Sequence, residues 1–378
     1  MMEWSIVPMG TLCSIQSGKS DTKDAVSDGP YAFFDRSKTV KRSSRFLRDC
    51  EALIIPGEGT EFLPRHFVGK FDLHQRAYAL FDFRPEIDPR FLFYFLHHSA
   101  DYFPRVAVGA TVKSLRLRHF EQLPVSVTDI SNQRRIVSIL DEAFEGIATA
   151  KANAEKNLQN ARELFENYHQ SVFSRGGEGW VDYRLGEIAS FRNGINFTKQ
   201  SKGRSVPIIG VKNFQNHLWA PLDDLDSVTL DGELSELDTL AEGDILSVRS
   251  NGNPELIGRC MLVGSLSEPI THSGFTIRIR LHDGNTLPQY VCQFLKSRDV
   301  RRTLIDGGNG ANIRSLNQGT LSSVVIPLPP IEIQQRIINE IEAMHSKTAY
   351  LADIASRKLA ALDELKKSLL HQAFTGQL

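Results

Sequence analysis

The chain has 378 residues, of which 44 are Lys or Arg and 45 are Asp or Glu, giving a formal net charge of −1 at pH 7. Its hydrophobic content of 41% and charged content of 24% are ordinary for a globular protein, and its length predicts more than one domain. The absence of any run of about 18 apolar residues excludes a membrane-spanning helix. Balanced charge also excludes nucleic-acid binding driven by net charge alone, so the distribution of charge matters more than its sum.

The first ten residues and the cysteines bear on the expected location of the protein. Residues 1–10 lack the basic and apolar regions of a secretory signal. The cysteines Cys13, Cys50, Cys260 and Cys292 are scattered and form no C-x-x-C pair, so neither a zinc site nor a disulfide framework is predicted. The expected location is a reducing cytoplasm.

Charge is distributed unevenly along the chain. Six basic residues and no acid lie between Asp35 and Asp49, and five basic residues and no acid lie between Glu187 and Asp223. The stretch from Asp223 to Asp244 holds nine acids and no Lys or Arg. A charge run is often only a solvated face, but two basic runs in corresponding halves favour one ligand-facing surface in each half.

The first globular part is predicted to span residues 1–130. Within it, residues 78–83 read as a strand and residues 89–99 as a short helix opened by proline. The Ser-Gly-Lys-Ser stretch at residues 17–20 looks like the end of a phosphate-binding loop. Cys13 stands where that loop needs a Gly, so nucleotide binding is not predicted.

The first long helix is predicted within residues 131–176. From Ile136 to Tyr168, apolar and small residues recur at alternating spacings of four and three. This heptad pattern, held for more than four heptads, indicates a coiled coil. Gly176 follows the pattern and is a common helix stop.

The second globular part, residues 177–330, repeats features of the first. The spacing of Trp4, Gly10 and Gly18 returns at Trp180, Gly186 and Gly194. The offset between matching segments grows from 176 to 201, as expected if the second part of a duplicated chain gained 201 − 176 = 25 residues in loops. Strands are predicted at residues 245–249 and 275–281, and a short helix at residues 288–296.

The second long helix, within residues 331–378, repeats the first heptad pattern at a constant offset of 201. The natural reading is that the two helices pair antiparallel and form a pseudo-two-fold molecule of class α+β. The alternative is that each helix packs on its own domain, although Ala and Asn in the pattern suit one close partner helix better. The predicted coiled-coil core consists of Ile136, Leu140, Ile147, Leu164, Ile337, Ile341, Leu351, Leu362 and Leu365.

The remaining chemistry is that of binding. No G-x-S-x-G, H-E-x-x-H, dinucleotide-binding or base-methylating motif is present, and the histidines have no metal-ligand spacing. Polar loops rich in Arg, Lys and Asn recur in both halves, and these side chains suit phosphates, guanine edges and adenine edges. Any one such loop could be an ordinary turn. The candidate DNA-binding residues are Arg36, Lys38, Lys41, Arg42, Arg45, Arg65, Lys70, Lys113, Arg116, Arg192, Asn193, Asn196, Lys199, Lys212, Asn213, Arg249, Ser250, Asn251, Asn253, Asn309, Asn312 and Arg314.

This organisation resembles the specificity subunit of type I restriction–modification enzymes over nearly the whole chain. The resemblance rests on the W-x5-G-x7-G opening of each half, Gly-Asp-Ile-Leu at residues 243–246, and the segments at residues 328–337 and 369–376. The first half departs from the pattern at residues 50–53 and 127–129, where Gly-Asp-Ile-Leu and Leu-Pro-Pro are replaced.

The resemblance implies two target-recognition domains with twisted mixed β-sheets, joined by an antiparallel coiled coil. They would be residues 1–130 and 177–330, with the helices at residues 131–176 and 331–378. Each domain would read half of a split DNA site. Because the two globular parts differ in sequence, we expect the half-sites to differ, and a rigid antiparallel helix pair would set them about 34 Å apart.

The resemblance also implies the partners. One copy of the chain, itself non-catalytic and without cofactor, would dock two modification subunits that carry S-adenosylmethionine. Restriction and translocase subunits using ATP and Mg²⁺ would join that core. Two alternatives stay open: the recognition part of a stand-alone methyltransferase or nuclease, and a coiled-coil adaptor without DNA specificity.

Overall fold

The chain forms two compact units. A computed structural model describes residues 3–197, 203–215, 217–282, 284–306 and 315–378. The first unit comprises Met1–Lys156 and Ala355–Leu378, and the second comprises Asn157–Ile354. Among the helices of the described residues, none combines the length and apolar character that crossing a membrane requires.

The first unit contains a six-stranded mixed sheet and a separate two-stranded sheet. Its strands are β1 Ser5–Pro8, β2 Ser14–Ser17, β3 Tyr31–Phe34, β4 Lys41–Ser43, β5 Arg48–Pro56, β6 Arg65–Leu73, β7 Ala77–Phe81 and β8 Pro124–Val127. The order in the large sheet is β2-β7-β5-β6-β3-β4, in which only β3 and β6 pair in parallel. Strands β1 and β8 pair antiparallel.

Helices cover one face of the large sheet in the first unit. They are α1 Pro89–His98, α2 Tyr102–Val106, α3 Leu117–Glu121 and the first part of the long helix α4 Ile130–Ser174. Because successive strand residues point to opposite faces, β5 supplies two cores. Leu53 and Ile55 join the core under the helices, whereas Ala52 and Ile54 join the core on the opposite face.

The second unit repeats this plan with a divided sheet. Its strands are β9 Val181–Arg184, β10 Ala189–Asn193, β11 Ser205–Ile209, β12 Asp226–Thr229, β13 Ile245–Val248, β14 Cys260–Leu262, β15 Thr271–His272, β16 Thr276–Leu281 and β17 Val325–Leu328. Its helices are α5 Leu185–Ile188, α6 Pro288–Lys296, α7 Arg298–Asp306, α8 Gln318–Ser322 and the first part of α9 Ile331–Phe374. The sheet orders are β10-β16-β13-β14, β12-β11-β15 and β17-β9.

The division has a local cause. In the first unit, the single strand β6 pairs with both β5 and β3. In the second unit, β14 pairs with β13 and β15 pairs with β11, so the same two pairings need two short strands. Residues 263–270 separate those strands. Part of the length gained by the second half therefore lies inside what is one strand in the first half.

Within the first unit, the first part of α4 runs antiparallel to the last part of α9. Lys151 Nζ lies 2.6 Å from Asp363 Oδ1. Lys366 Nζ lies 5.0 Å from the ring centroid of Phe144. Residue numbers therefore fall along α9 as they rise along α4.

The same direction holds within the second unit, between the last part of α4 and the first part of α9. Tyr168 Oη donates to Glu340 Oε2 at 3.1 Å. The ring centroids of Phe165 and His345 are 5.1 Å apart. Again the numbers fall on one helix as they rise on the other.

The seam of each long helix is one row of residues wide along most of its length. Every seventh residue is buried: Leu140, Ile147, Ala154 and Ala161 in α4, and Ile341, Thr348 and Ala355 in α9. Ile136 and Ile337, near the helix starts, are buried in the globular cores. Small side chains in the buried row allow a close approach of the helix axes.

Three of the predicted core positions are wrong. Leu164, Leu351 and Leu365 are exposed over 50%, 49% and 46% of their surfaces. They belong to the second row of the heptad pattern, which lies at the flank of the helix pair in contact with solvent. Leu362 is half-buried.

The predicted α+β class, with mixed sheets and two long antiparallel helices, is confirmed. The strands expected at residues 78–83, 245–249 and 275–281 are β7, β13 and β16, and the helices expected at residues 89–99 and 288–296 are α1 and α6. The predicted division into residues 1–130, 131–176, 177–330 and 331–378 stays a prediction.

Candidate nucleic-acid interface

In the second unit, segments distant in sequence meet at one end of the sheet and form what we call the second reading edge. They are residues 193–197, 249–250, 273–275 and 315–318. Gly274 N donates to Ile195 O at 2.7 Å, and Arg249 N donates to Phe275 O at 2.8 Å. Leu316 N donates to Arg249 O at 2.8 Å. The backbone of this edge is thus held by hydrogen bonds between segments.

Two glycines allow these segments to interlock. A Cβ on Gly194 would lie 2.2 Å from His272 O and 2.3 Å from Ser273 O. A Cβ on Gly274 would lie 2.2 Å from Asn196 Oδ1. Gly194 is the second glycine of the repeated W-x5-G-x7-G pattern, and its role is close backbone approach.

The first unit has a corresponding first reading edge, made of residues 18–20, 57–58, 74–76 and 114–115. Gln75 N donates to Ser20 O at 2.9 Å, and Gly57 N donates to Arg76 O at 2.8 Å. Leu115 N donates to Gly57 O at 2.8 Å. These bonds correspond to those of the second edge, so the duplication preserved the backbone arrangement.

The two edges differ in the side chain at the centre of the turn. Phe275 in the second unit is 60% exposed, and the Arg76 side chain at the corresponding place is 59% exposed. Neither was among the sequence-predicted binding residues. The offset of 199 that relates Pro89 to Pro288 also relates Arg76 to Phe275, so extending the internal comparison would have found the pair.

A charged cluster stands beside Arg76. Its guanidinium is hydrogen-bonded to the buried Glu58, which also accepts from Ser114 Oγ at 3.1 Å and lies 3.6 Å from Arg36 Nη1. Burial opposes ionisation of Glu58, but the hydrogen bonds from Arg76 and Ser114 and the nearby cations outweigh it and lower its pKa. A carboxylate therefore fixes two arginines at the first reading edge.

Other predicted cations of the first unit are also paired with acids. Lys41 Nζ lies 2.6 Å from Asp35 Oδ2, and Lys38 Nζ lies 2.8 Å from Glu61 Oε2. Arg65, by contrast, bonds the backbone, because its Nη2 donates to the carbonyl oxygen of Asp35 at 3.4 Å and to that of Ser37. Burial opposes ionisation of Asp35, but a set of hydrogen bonds led by that from Lys41 lowers its pKa.

Arg42 and Arg45 are also held by neighbouring groups, and Arg45 Nη2 donates to Ser20 Oγ of the first reading edge at 3.0 Å. Arg42 Nε donates to Gly29 O at 2.7 Å. Arg45 lies 3.0 Å from Asp24 Oδ2 and 3.6 Å from the buried Asp72. These guanidinium groups support the local backbone as well as supplying positive charge.

The last three predicted residues of the first unit are less constrained. Lys70 Nζ lies 5.0 Å from the ring centroid of Phe46. Lys113 and Arg116 are exposed and flank residues 114–115 of the first reading edge. Their position suits contact with a phosphate backbone.

In the second unit, part of the acidic stretch balances predicted cations. Arg192 Nε donates to Asp238 Oδ1 at 2.7 Å, and this hydrogen bond raises the pKa of Arg192. Lys212 Nζ lies 2.6 Å from Asp226 Oδ1. The nine acids of residues 223–244 are therefore in part the counterions of the basic run.

The structure brings some of the predicted residues together at the second reading edge. These residues are Asn193, Asn196, Arg249 and Ser250. Arg249 Nη1 donates to Gly274 O at 3.1 Å, and Gln318 Nε2 donates to Asn193 Oδ1 at 3.2 Å. Arg249 and Asn196 place side-chain atoms against the turn that carries Phe275, and Ser250 N donates to Phe275 O at 3.3 Å.

Asparagines elsewhere serve the local backbone. Asn213 is buried, and its Oδ1 accepts from Gly210 N at 2.9 Å. The prediction of a base contact at Asn213 is therefore wrong, because its side chain is inaccessible. Asn251 Oδ1 accepts from Asn253 N at 2.8 Å, and Asn253 Oδ1 accepts from Glu255 N at 3.0 Å.

Four further candidates, Lys199, Asn309, Asn312 and Arg314, lie outside the described residues. For the accessible candidates, contact with DNA stays a prediction. Within the described ranges, no three His, Cys, Asp or Glu side chains lie close enough together to hold a metal ion.

Comparison with known proteins gives a consistent result. A family model described as the type I restriction modification DNA specificity domain matches residues 1–159 and 177–355. The EcoDI specificity subunit of Escherichia coli, a type I restriction enzyme subunit, is 23% identical, covering 100% of this chain and 89% of the relative. The EcoKI specificity subunit of Escherichia coli strain K12 is also 23% identical, over 98% of this chain and 82% of that protein.

Solved structures support the same fold. A chain from a structural study of complex assembly and conformational transition in a type I restriction–modification system aligns with a TM-score of 0.73, at 17% identity and full coverage of both chains. The HsdS subunit from Thermoanaerobacter tengcongensis aligns with a TM-score of 0.60, at 16% identity, over 99% of this chain and 97% of that one. Because the matched family domains cover most of its length, this chain belongs to the type I restriction–modification DNA specificity family.

Proposed function

We propose that this chain reads a bipartite, asymmetric DNA site, with one half-site recognised by each unit. The two reading edges would face the DNA, and the half-sites would be separated by a gap of fixed length. The family match to both halves of the chain supports this proposal.

One observation carries the proposal. The backbone hydrogen bonds of the first and second reading edges correspond, whereas the exposed side chains at their centres are Arg76 and Phe275. A guanidinium and a phenyl ring suit different base edges. A duplicated scaffold with unlike side chains is what reading two different half-sites requires.

We propose further that the long helices dock modification subunits. Tyr350, Leu351 and Ile354 of α9 are large apolar side chains exposed over 63%, 49% and 42% of their surfaces. Exposed apolar groups in one part of a helix suit a protein partner. In the proposed complex, one copy of this chain binds two methyltransferase subunits.

The chemistry in this proposal belongs to the partners, and this chain is non-catalytic. S-adenosylmethionine would bind the modification subunits, and ATP with Mg²⁺ would bind the restriction subunits. The chain alone, supplied with S-adenosylmethionine and target DNA, is expected to transfer no methyl group. Methyl transfer by the highly purified chain alone would favour the stand-alone methyltransferase alternative.

The decisive experiment selects bound duplexes from random DNA with the reconstituted complex and sequences them. We expect a split motif with a fixed gap. Arg249→Ala should alter the preference in one half only, and Arg36→Ala should alter the other half only. A single contiguous motif, or equal effects of either variant on both halves, would contradict the proposal that each unit recognises one half-site.

A further inference from the structure

Phe275 has an unusual combination of a fixed backbone and a free side chain. Its carbonyl oxygen accepts from Arg249 N at 2.8 Å and from Ser250 N at 3.3 Å. Its own N–H donates to Ser273 Oγ at 3.3 Å. The ring remains 60% exposed. A single exposed aromatic is common on protein surfaces, so exposure alone decides nothing.

The internal duplication supplies the second observation. Arg76 O accepts from Gly57 N at 2.8 Å, just as Phe275 O accepts from Arg249 N. The chain therefore kept the backbone at this position and changed the side chain from cationic to apolar. A position that determines specificity should behave in this way, because its geometry must hold while its chemistry differs between half-sites.

The neighbours of Phe275 narrow the ligand chemistry. Asn196, Arg249 and Ser250 are polar groups of the kind that bond base edges in the major groove. Phenylalanine offers no donor or strong acceptor, and the apolar group displayed by base pairs in that groove is the 5-methyl group of thymine. An apolar wedge between base steps is the other known use of such a side chain, and it occurs in the minor groove.

We propose that Phe275 is a specificity-determining residue that contacts the 5-methyl group of one thymine in the half-site read by the second unit. This inference rests on the proposed function. Arg76 is its counterpart in the first unit, where a guanidinium suits the acceptor atoms of guanine.

The test uses the complex with its modification subunits and a duplex carrying the selected motif. Each thymine of the half-site read by the second unit, on either strand, is replaced singly by deoxyuridine, which lacks only the methyl group. Loss of one buried methyl contact should weaken binding by wild type about fourfold at one position. Phe275→Ala should bind the unmodified duplex more weakly and show no further loss with deoxyuridine at that position.

Matched variants test whether the Phe275 side chain itself causes the deoxyuridine effect. Tyr183→Ala removes another exposed aromatic of the second unit, on β9, and should keep the full deoxyuridine effect. Arg76→Ala should also keep it, because its change falls in the other half-site. Phe275→Leu retains an apolar side chain and should retain part of the effect. Since the Phe275 ring is mostly exposed, its removal should leave thermal stability nearly unchanged.

The outcomes separate the two proposals. Specific binding by wild type, with the same deoxyuridine penalties in Phe275→Ala, would overturn the assignment of Phe275 alone. Absence of a deoxyuridine-sensitive position in the wild-type complex would do the same. Failure of wild type to select any split motif would overturn the proposed function and this inference with it.

Discussion

Gln133 and Gln334 make the same three hydrogen bonds in the two units. Gln133 Oε1 accepts from Asp88 N at 2.8 Å, and its Nε2 donates to the carbonyl oxygens of Glu86 and Thr128 at 2.8 and 2.7 Å. The amide joins the start of a long helix to the segment before α1. Both glutamines open a Gln-x-Arg-Ile motif, which the sequence repeats at residues 133–136 and 334–337. This repeated motif is therefore a structural joint.

Replacing this amide should be costly. Gln334→Ala would leave Leu287 N and the carbonyl oxygens of Asn285 and Pro329 without their buried partner. We expect the free energy of unfolding to fall by about 2 to 4 kcal/mol, because buried unsatisfied groups cost about 1 to 3 kcal/mol each. Urea denaturation provides the measurement. Gln335→Ala, at the adjacent exposed position, should change the free energy of unfolding little. Equal losses in the two variants would show that the hydrogen bonds of Gln334 contribute no special stability.

The last phenylalanine of each long helix enters an aromatic cluster. The Phe374 ring lies 5.1 and 5.4 Å, between centroids, from Phe91 and Phe95 of α1. Phe173 makes the corresponding contact with Tyr290 at 5.5 Å. The C-terminal end of each long helix is therefore fixed to a short helix. This short helix is α1 for Phe374 in the first unit and α6 for Phe173 in the second unit.

Phe374→Ala should destabilise the first unit strongly. The side chain is 7% exposed, and truncating a buried phenylalanine typically costs about 3 to 5 kcal/mol. Differential denaturation of wild type and variant would measure the loss. Phe46→Ala, at an exposed phenylalanine of the same unit, is the matched control. A Phe374→Ala variant as stable as that control would show that the cluster contributes little.

The duplicated helices were predictable because a heptad pattern with a constant offset is written directly in the residue spacing. The number of buried rows could not be predicted, because Leu365 has the same spacing whether one row or both rows of the heptad pattern are buried. Pairing of distant charges, such as Arg192 with Asp238, depends on loop geometry that spacing does not encode. The burial of Asn213 could not be predicted either, because asparagine suits contact with a base edge as well as a position in a buried turn.

The one-row seam predicts unequal effects at two leucines of the long helices. Leu140 is fully buried, whereas Leu365 is 46% exposed. Leu140→Ala should lower the free energy of unfolding by about 2 to 5 kcal/mol, and Leu365→Ala by less than about 1 kcal/mol. Chemical denaturation of both variants compares them directly. Similar large losses would indicate that both heptad rows are packed.

The buried histidine of α4 predicts a dependence of stability on pH. His169 is buried beside Gln293, with His169 Nε2 and Gln293 Oε1 3.1 Å apart. Burial lowers the pKa of His169 to about 4. Between that value and the unfolded pKa of about 6.5, the unfolded chain binds the extra proton, so stability falls as pH falls through this window.

At pH 5 this single group should cost about 2 kcal/mol relative to pH 8. His169→Gln removes the titration, so the loss in the free energy of unfolding between pH 8 and pH 5 should shrink by roughly that amount. His217→Gln, at an exposed histidine of the same unit, should leave the pH dependence nearly as in wild type. Because each variant is compared with itself at two pH values, a constant loss of packing in His169→Gln cancels. An unchanged pH dependence in His169→Gln would show that His169 takes up its proton in the folded chain as readily as in the unfolded one.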